Sequence, residues 1–548
     1  MNKEVKKLKI KFYGATRQVT GSNYLIEAGG KKLLLDCGMF QGGKEEDLLN
    51  FADFPYNPAD IDYLIVSHAH IDHIGRIPKL VKEGFSGRIL ATKATVDLAR
   101  IMLEDSAHIQ ESDVEWENQK RKRAGKKLLE PLYTLADASR SFSYFEEYYY
   151  DHYIEIDETF TLRFLDAGHI IGSAIVELWI KENDKNTKLV FSGDLGVDEK
   201  ALINKPQVVE AADILLMEST YGNRLHEPYE ESEHKLIDII ERTAARGGSV
   251  IIPSFAVGRT QELIYQLNNY YDKKGFEEYK RVPVYVDSPM AYEATEAYQK
   301  NSDLFNEKTR EQILGGDNPF SFPNLRFVKT VEESKSLNKS SFPKVIISAS
   351  GMADAGRIRH HLKHHLWDPK NTILFVGYQA NGSTGRKILD GAKEIRLLGE
   401  VIKIRAEIEE LQGLSAHADK NMLLNWLGAI KSKPKKLYLV HGELDAQENM
   451  QKEIKQRFNL NAEIPKPGEI VEIGGKTDKI SIDEDYGVDL KENLDKSLEE
   501  VLELMDAYQK QDNKDFDKDF IKKNYSDYSE ALLDIKNRLM ELILMENK

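Results

Sequence analysis

Again and again in this chain a short apolar run stops at a side chain able to bind a metal, and the densest case is Ser67-His68-Ala69-His70-Ile71-Asp72-His73-Ile74-Gly75, directly after Tyr63-Leu64-Ile65-Val66. An apolar run of that length, bounded by polar residues, reads as a buried strand. Three histidines and one aspartate within six residues form an HxHxDH cluster, and imidazole with carboxylate suits borderline divalent ions, zinc above all. One short loop cannot surround a metal. The cluster therefore predicts distant ligands, and a fold that brings other strand ends to the same edge.

Candidates for those ends recur along the sequence. Residues 23–28 turn at Gly29-Gly30 into 31–35, a hairpin by its turn chemistry, and the second strand ends at Asp36. Taken alone, that aspartate reads first as an ordinary turn residue. Residues 160–165 lead to Asp166 and His169, residues 189–191 to Asp194, 214–217 to Glu218, and 436–440 to His441. Residues 401–408 alternate as one strand before Gly413-Leu414-Ser415-Ala416-His417-Ala418-Asp419. Core packing alone does not produce such repetition; a layered sheet with a site along one edge does.

The length of 548 residues exceeds a single core and predicts two to four domains. With 41% hydrophobic and 30% charged residues the chain reads as soluble and globular. No apolar run approaches the ~20 residues of a membrane span, and the basic N-terminus leads into a strand, residues 8–12, rather than a signal-peptide core. The single cysteine, Cys37, excludes a disulfide scaffold or a cysteine-rich zinc site, so a cytoplasmic protein is expected. The net charge of -15 argues against indiscriminate nucleic-acid binding. However, residues 476–548 hold 12 Lys and Arg against 20 Asp and Glu, over half of the excess, so the total says little about a local groove.

Between the strand ends, residues 77–81 begin a helix, and Thr95 caps another that runs past Ala107. Residues 115–130, with Lys120, Arg121, Lys122, Arg123, Lys126 and Lys127, form either a solvated helix–helix loop or an RNA-facing patch. From about residue 223 helical stretches alternate with buried strands at 250–253, 282–286, 345–348 and 372–376, which predicts a parallel α/β sheet. Three strand-to-helix connections carry Gly-Arg: Gly258-Arg259, Gly356-Arg357 and Gly385-Arg386. Helix N-terminal amides plus a guanidinium make a phosphate seat, so Arg259, Arg357 and Arg386, with Ser350 and Ser383, are candidate phosphate contacts. Tight-turn glycines with arginines in structural ion pairs are the alternative. His360, His361, His364 and His365 share one helix without the acidic residue of a zincin and read as surface residues. His108, His152, His226 and His234 stay unassigned. From about 477 onward the spacing of Leu494, Leu498, Val501, Leu502 and Met505 predicts amphipathic helices in need of a partner surface, on this chain, in a homodimer or on a partner protein.

A catalytic zinc keeps three protein ligands and an open position. His68, His70 and His169 supply one such set, and Asp72, His73 and His441 a second, with Asp194 bridging. Two metals ~3.5–4 Å apart clamp both the attacking and the leaving oxygens of a phosphoester. Asp36 is then placed to orient a ligand through hydrogen bonds.

In this order Asp36, His68-x-His70-x-Asp72-His73, His169 and Asp194 resemble the metallo-β-lactamase superfamily. Glu218-Ser219-Thr220-Tyr221-Gly222, Ser415-Ala416-His417-Ala418-Asp419 and Leu439-Val440-His441-Gly442-Glu443 resemble motifs A, B and C of its β-CASP branch. That branch includes the RNA-cleaving subunit of the cleavage and polyadenylation specificity factor and its bacterial and archaeal relatives. Ser254-Phe255-Ala256-Val257-Gly258-Arg259 and Asp287-Ser288-Pro289-Met290-Ala291 are also similar to family signatures, and the likeness covers roughly residues 8–475.

The resemblance implies an α/β chain: a four-layered αββα metallo-β-lactamase domain (residues 1–208 and 401–476) interrupted by a parallel α/β β-CASP domain (209–400); the acidic helical extension (477–548) lies outside the resemblance and is read from its charge and spacing. It implies a ribonuclease with two zinc ions, acting on single-stranded RNA in processing or decay and leaving 5′-phosphate and 3′-hydroxyl products. Endonucleolytic cleavage is expected, with 5′-to-3′ trimming as the alternative. In that scheme the catalytic residues are Asp72, Asp36, His417 and Glu218: Asp72 as a ligand, Asp36 orienting a ligand, His417 protonating the departing 3′ oxygen and Glu218 orienting His417. DNA-repair members of the branch typically carry valine in motif C where this chain has His441, which favours RNA. Small-molecule hydrolases of the superfamily lack the inserted domain, redox di-iron relatives typically carry Glu where His70 stands, and a non-catalytic scaffold is expected to have lost ligands.

Overall fold

Side chains alternate across a strand, and here that alternation builds the two central layers. In Lys31–Leu35, Leu33 and Leu35 turn one way and Leu34 the other; in Ile214–Glu218, Ile214 and Leu216 oppose Leu215 and Met217. The computed structural model describes residues 7–483 apart from 43, 183–184, 199–201, 275–281, 378, 380–381, 412 and 474–478. An eight-stranded sheet runs in the order Lys479–Ile482, Glu469–Ile473, Leu8–Gly14, Asn23–Ala28, Lys31–Leu35, Tyr63–Ile65, Arg88–Thr92, Phe145–Tyr148. A seven-stranded sheet runs Ala462–Glu463, Lys436–Val440, Ile214–Glu218, Lys185–Phe191, Ala174–Glu182, Phe160–Asp166, Ile154–Glu155. Their inner faces meet in one dry core that includes Phe12, Tyr24, Phe160, Phe164 and Phe191. The outer residues Leu34, Leu64 and Ile89 pack on Ile77–Lys82 and Lys93–Arg123, while Leu215, Met217 and Leu439 pack on Lys420–Ala429 and Leu444–Phe458. Helix, sheet, sheet and helix give the four αββα layers.

Six strands, all parallel, make a third sheet in the order Leu325–Phe327, Val284–Val286, Val345–Ser348, Val250–Pro253, Thr372–Phe375, Glu407–Glu410. Helices cover both of its faces: Ile252 and Val284 pack with Leu236 and Leu263, Ile251 and Ile346 with Ile358 and Leu362. Burial on both sides explains why these strands read as unbroken apolar runs. Among the described residues no helix is long and apolar enough to cross a membrane.

Several expectations need correction. Ile214–Glu218, inside the expected span 209–400, belongs to the seven-stranded sheet, in parallel with Leu189 to Phe191 and with Lys436–Val440. A buried parallel strand looks the same in either sheet, so only its pairing tells them apart. Residues 401–408 are not one strand: Glu400–Lys403 pairs with Glu394–Leu397, and Glu407–Glu410 edges the six-stranded sheet. The expected boundary at 400 therefore falls short of the excursion's last strand. The helix near residue 95 is capped by Thr92, whose side chain accepts from Thr95 N, and it continues for 31 residues through much of the basic stretch. Lys479–Ile482, expected to be helical, is an edge strand antiparallel to Glu469–Ile473. The amphipathic pattern beyond it lies outside the described residues.

The four-histidine helix is only half a surface helix. His361 is fully buried, its Nε2 2.6 Å from Asp287 Oδ2 and its Nδ1 2.9 Å from Asn338 Oδ1; His365 is buried against Asn371. Polar partners hold both ring nitrogens of His361 and Nδ1 of His365, which hydropathy alone does not reveal.

Candidate metal centre

Tyr63–Ile65 runs out at Val66-Ser67, and the chain turns at once into a single-turn helix, Ile71–Ile74, with His70 at its N-cap. This winding brings four side chains of one loop to a point. His68 Nε2 and His169 Nε2 each lie 3.1 Å from His70 Nδ1. His73 Nε2 lies 3.1 Å from His441 Nε2, with Asp72 Oδ2 3.8 and 3.5 Å from the same two nitrogens. Asp194 stands between the groups: Oδ2 is 3.5, 3.4 and 3.7 Å from Nε2 of His68, His73 and His169, and Oδ1 is 3.4 Å from His441 Nδ1.

This donor set fits a divalent metal. His70 Nδ1 faces two ring nitrogens at once, and a single proton serves such a contact poorly, whereas converging lone pairs are what a cation takes up. Asp194 Oδ1 is buried without a hydrogen-bond donor, a costly state for a carboxylate oxygen unless a cation answers it. Burial lowers the pKa of His68 and His169 well below the usual imidazole value and pushes His70 down to about 4, which keeps these rings neutral, as ligands must be. On the other side, burial opposes charge on His73, yet the Asp194, Asp36 and Asp72 carboxylates overrule it and raise its pKa well above normal. Burial likewise works to raise Asp72, but His73 and His441 hold it below the ordinary carboxylate value.

Each ligand is gripped from behind. Asp36 is fully buried with a left-handed backbone (φ 58°); its Oδ2 lies 2.7 Å from His73 Nδ1 and accepts from Ser22 and Ser67 Oγ, and its Oδ1 accepts from Ser67 N. His441, also left-handed (φ 48°), is pinned by its amide to Ala15 O at 2.7 Å and meets Thr220 Oγ1 at 3.0 Å from Nδ1. Such sparsely populated backbone states cost of order 1–3 kcal/mol and persist where the surroundings over-determine them. The His169 loop is held by Ser173 Oγ, which accepts from His169 N, and its ring Nδ1 lies 3.3 Å from Ala416 O. Gly196 closes this loop: a Cβ there would sit 1.7 Å from Gly168 O.

Beyond the ring stands His417, its Nδ1 3.5 Å from Glu218 Oε1 and 3.7 Å from Asp194 Oδ2. Burial works against charge on this ring, but Glu218 and Asp194 more than offset it and raise its pKa. Glu218 is itself fixed, accepting from Leu195 N at 2.6 Å and Thr220 N at 3.3 Å. The six-stranded part contributes Phe255, whose ring lies 6.5 Å from that of His70.

The candidate phosphate contacts sit in another setting. Arg357 donates to Asp287 Oδ1 at 2.6 Å and to the carbonyls of Val328 and Lys329. Arg386 is bidentate to Asp390 but lines a cavity shared with Tyr221, His226 and Ser415; Arg259 is buried beside Glu262, 3.2 Å away. Ser383 caps the helix Thr384–Leu389, and Ser350 Oγ accepts from Ala355 N. Sequence reasoning left His226 unassigned. Its ring Nε2 lies 2.9 Å from His417 O, its amide donates to Asp419 Oδ2 and its ring packs edge-on against Tyr221, so it braces the His417 loop. Its place four residues after motif A was the available signal.

Buried imidazoles and carboxylates converging on one carboxylate, at the open edge of an αββα sandwich, define a metal-dependent hydrolase. Residues 16–254 match the metallo-beta-lactamase superfamily, 260–388 the Beta-Casp domain, and 401–465 the Zn-dependent metallo-hydrolase RNA specificity domain. The chain belongs to the β-CASP branch of the metallo-beta-lactamase superfamily. Ribonuclease TTHA0252 of Thermus thermophilus is 39% identical over 431 residues, which are 79% of this chain and 92% of that protein. Proteins named transcription termination factor FttA, from Methanocaldococcus jannaschii and Pyrococcus horikoshii, are both 32% identical, over 80% and 84% of this chain and 67% and 70% of their own lengths.

Proposed function

We propose that this chain is a zinc-dependent ribonuclease that cuts single-stranded RNA internally and leaves 5′-phosphate and 3′-hydroxyl ends, in RNA processing or decay. The observation that carries this reading is a full ring of ligands with an acid outside it: His417 faces Glu218 across 3.5 Å while seven other side chains form the ring. The ribonuclease from Thermus, alike over 92% of its length, supports RNA as the substrate.

His68, His70 and His169 would hold one ion and Asp72, His73 and His441 the second, with Asp194 between them. Nitrogen-rich sets of this kind favour zinc over magnesium or calcium. Two zinc ions bound there supply Lewis acidity to both the attacking and the leaving oxygen of a phosphodiester. Asp36 fixes the tautomer of His73 by accepting a hydrogen bond from its Nδ1–H. Glu218 and Asp194 raise the proton affinity of His417, and its other ring nitrogen delivers a proton to the departing 3′ oxygen. Phe255 and the six-stranded part beside His70 suit a long substrate lying across the edge of the sandwich. Arg386 and Arg259, near Tyr221 and His226, are the better placed of the arginines to meet its phosphates.

The test is incubation of zinc-loaded protein with end-labelled RNAs carrying 5′-triphosphate, monophosphate or hydroxyl ends. Internal fragments from all three are expected. Mononucleotides released from one kind of 5′ end would replace the endonuclease with an exonuclease, and intact RNA throughout would remove the ribonuclease reading.

A further inference from the structure

We infer that the distal tip of the helix Lys93–Arg123, with the return segment 124–129, is a docking arm for single-stranded RNA remote from the metal centre; the choice of RNA rests on the ribonuclease reading. Residues 120–127 hold six basic side chains, and no acidic residue occurs from 118 to 129, in a chain of net charge -15. The preceding turns carry Glu111, Asp113, Glu115 and Glu117, which confine the positive field to the tip. A loose tail would spread these charges. Here the tip is tied back on itself: Asn118 exchanges two hydrogen bonds with the backbone of Leu129, at 2.9 and 2.8 Å. Arg121 Nε donates to Lys127 O at 2.6 Å, and Lys126 N to Arg121 O at 2.9 Å, around Gly125 at φ 66°.

On this tip Trp116 is 63% exposed, with Lys120 Nζ 3.1 Å from its ring centre, and Leu128 and Leu129 are also exposed. An exposed indole beside clustered lysines and arginines is the combination by which proteins hold single strands, stacking bases and tracking phosphates together. An acidic protein surface would use the charges but not the indole.

The arm is rooted at the catalytic edge. Thr92 and Thr95 hydroxyls donate to Gly172 O at 2.6 and 2.8 Å, in the loop that carries His169. Asp97 binds Lys300 and Asn301, which fixes the root to the six-stranded part as well. At 1.5 Å per residue the 31-residue helix carries its tip about 46 Å along its axis, roughly fourteen nucleotides at the ~3.4 Å stacked spacing. Only RNAs longer than this can therefore engage the arm and the metal centre at once.

The test measures binding of 40- and 8-nucleotide RNAs to the full-length chain, treated with chelator so that the RNA stays intact, between 50 and 200 mM salt. The Lys122→Gln, Arg123→Gln, Lys126→Gln, Lys127→Gln variant spares the capping Arg121 and the indole partner Lys120. It is expected to bind the 40-mer at least about tenfold more weakly at 50 mM salt, with a salt slope reduced by roughly 0.7 per lost phosphate contact. Trp116→Ala is expected to weaken the 40-mer about fivefold without altering the slope. The 8-mer, too short to reach from the tip to the metal centre, should be bound more weakly than the 40-mer by the parent, and that difference should shrink in the variants. A 40-mer affinity and slope within twofold of the parent, in variants with unchanged circular dichroism, overturns the arm and leaves the tip to an acidic protein partner or to solvent. Failure of the ribonuclease reading appears separately, as uncut RNA with the zinc-loaded parent while binding still depends on the arm.

Discussion

Five imidazoles, those of His68, His73, His169, His417 and His441, lie within 3.4–3.7 Å of the Asp194 carboxylate, and their differing surroundings divide the labour. His68 and His169 fall in one cluster of potential ligands and His73 and His441 in a second; His417 clusters instead with Asp194 and Glu218, faces Glu218 across 3.5 Å, and its pKa is raised. Replacing His417 by Ala is therefore expected to leave metal content intact while lowering cleavage by about 10²–10⁴-fold, the usual worth of a positioned acid; metal analysis and a cleavage assay on one preparation check this. Asp36 touches no ion in this scheme, yet it accepts from Ser22, Ser67 and the ring of His73. Asp36→Ala should weaken metal binding by about 10–100-fold, read as the chelator concentration that strips half the metal; an unchanged midpoint would count against its orienting role.

Among the elements, the loops that end the strands set the geometry. A Cβ on Gly196 would fall 1.7 Å from Gly168 O, so Gly196→Ala must push the His169 loop away. It is expected to cost metal affinity in a protein that still folds, seen as reduced metal stoichiometry beside an unchanged far-ultraviolet spectrum. In the six-stranded part, Asp287 accepts from His361 and Arg357 at 2.6 Å each and from Ser334 at 2.5 Å. Burial works to raise its pKa, but the bonds from His361, Ser334 and Arg357 hold it below the ordinary value. A depressed carboxyl stabilises the fold above its unfolded pKa of about 3.9, and that stability is lost as pH falls through the lower folded value. Asp287→Asn should thus be less stable by about 3–5 kcal/mol at pH 7 in denaturant unfolding, with the gap narrowing below about pH 4. A gap that stays constant on acidification would contradict this. Strand-end residues such as His68, Asp194 and His441 were legible in the sequence because each follows an apolar run that has no other use for them. His226 and the burial of His361 were not, because hydrogen-bond partners 191 and 74 positions away decide both. For the same reason Ile214–Glu218 and Glu407–Glu410 fell on the wrong sides of the expected boundaries: pairing partners, not local pattern, assign a strand to its sheet.

At the scale of the whole molecule, the chain leaves the sandwich after Ile214–Glu218, builds a six-stranded layer, and returns with Lys436–Val440 beside the strand it left. That return brings Glu218, His417 and His441, distant in sequence, to the edge where the HxHxDH loop waits. The β-CASP part is thus inserted between the two halves of the candidate metal centre, and its Phe255 stands beside His70. We propose this edge as a two-zinc ribonuclease centre. The most direct measurement is of zinc stoichiometry and RNA cleavage together, on the full-length protein stripped with chelator and titrated with zinc. Cleavage should be absent in the stripped protein and reach its plateau as the second zinc per chain binds. A protein that holds two zinc ions and leaves single-stranded RNA intact would contradict the account.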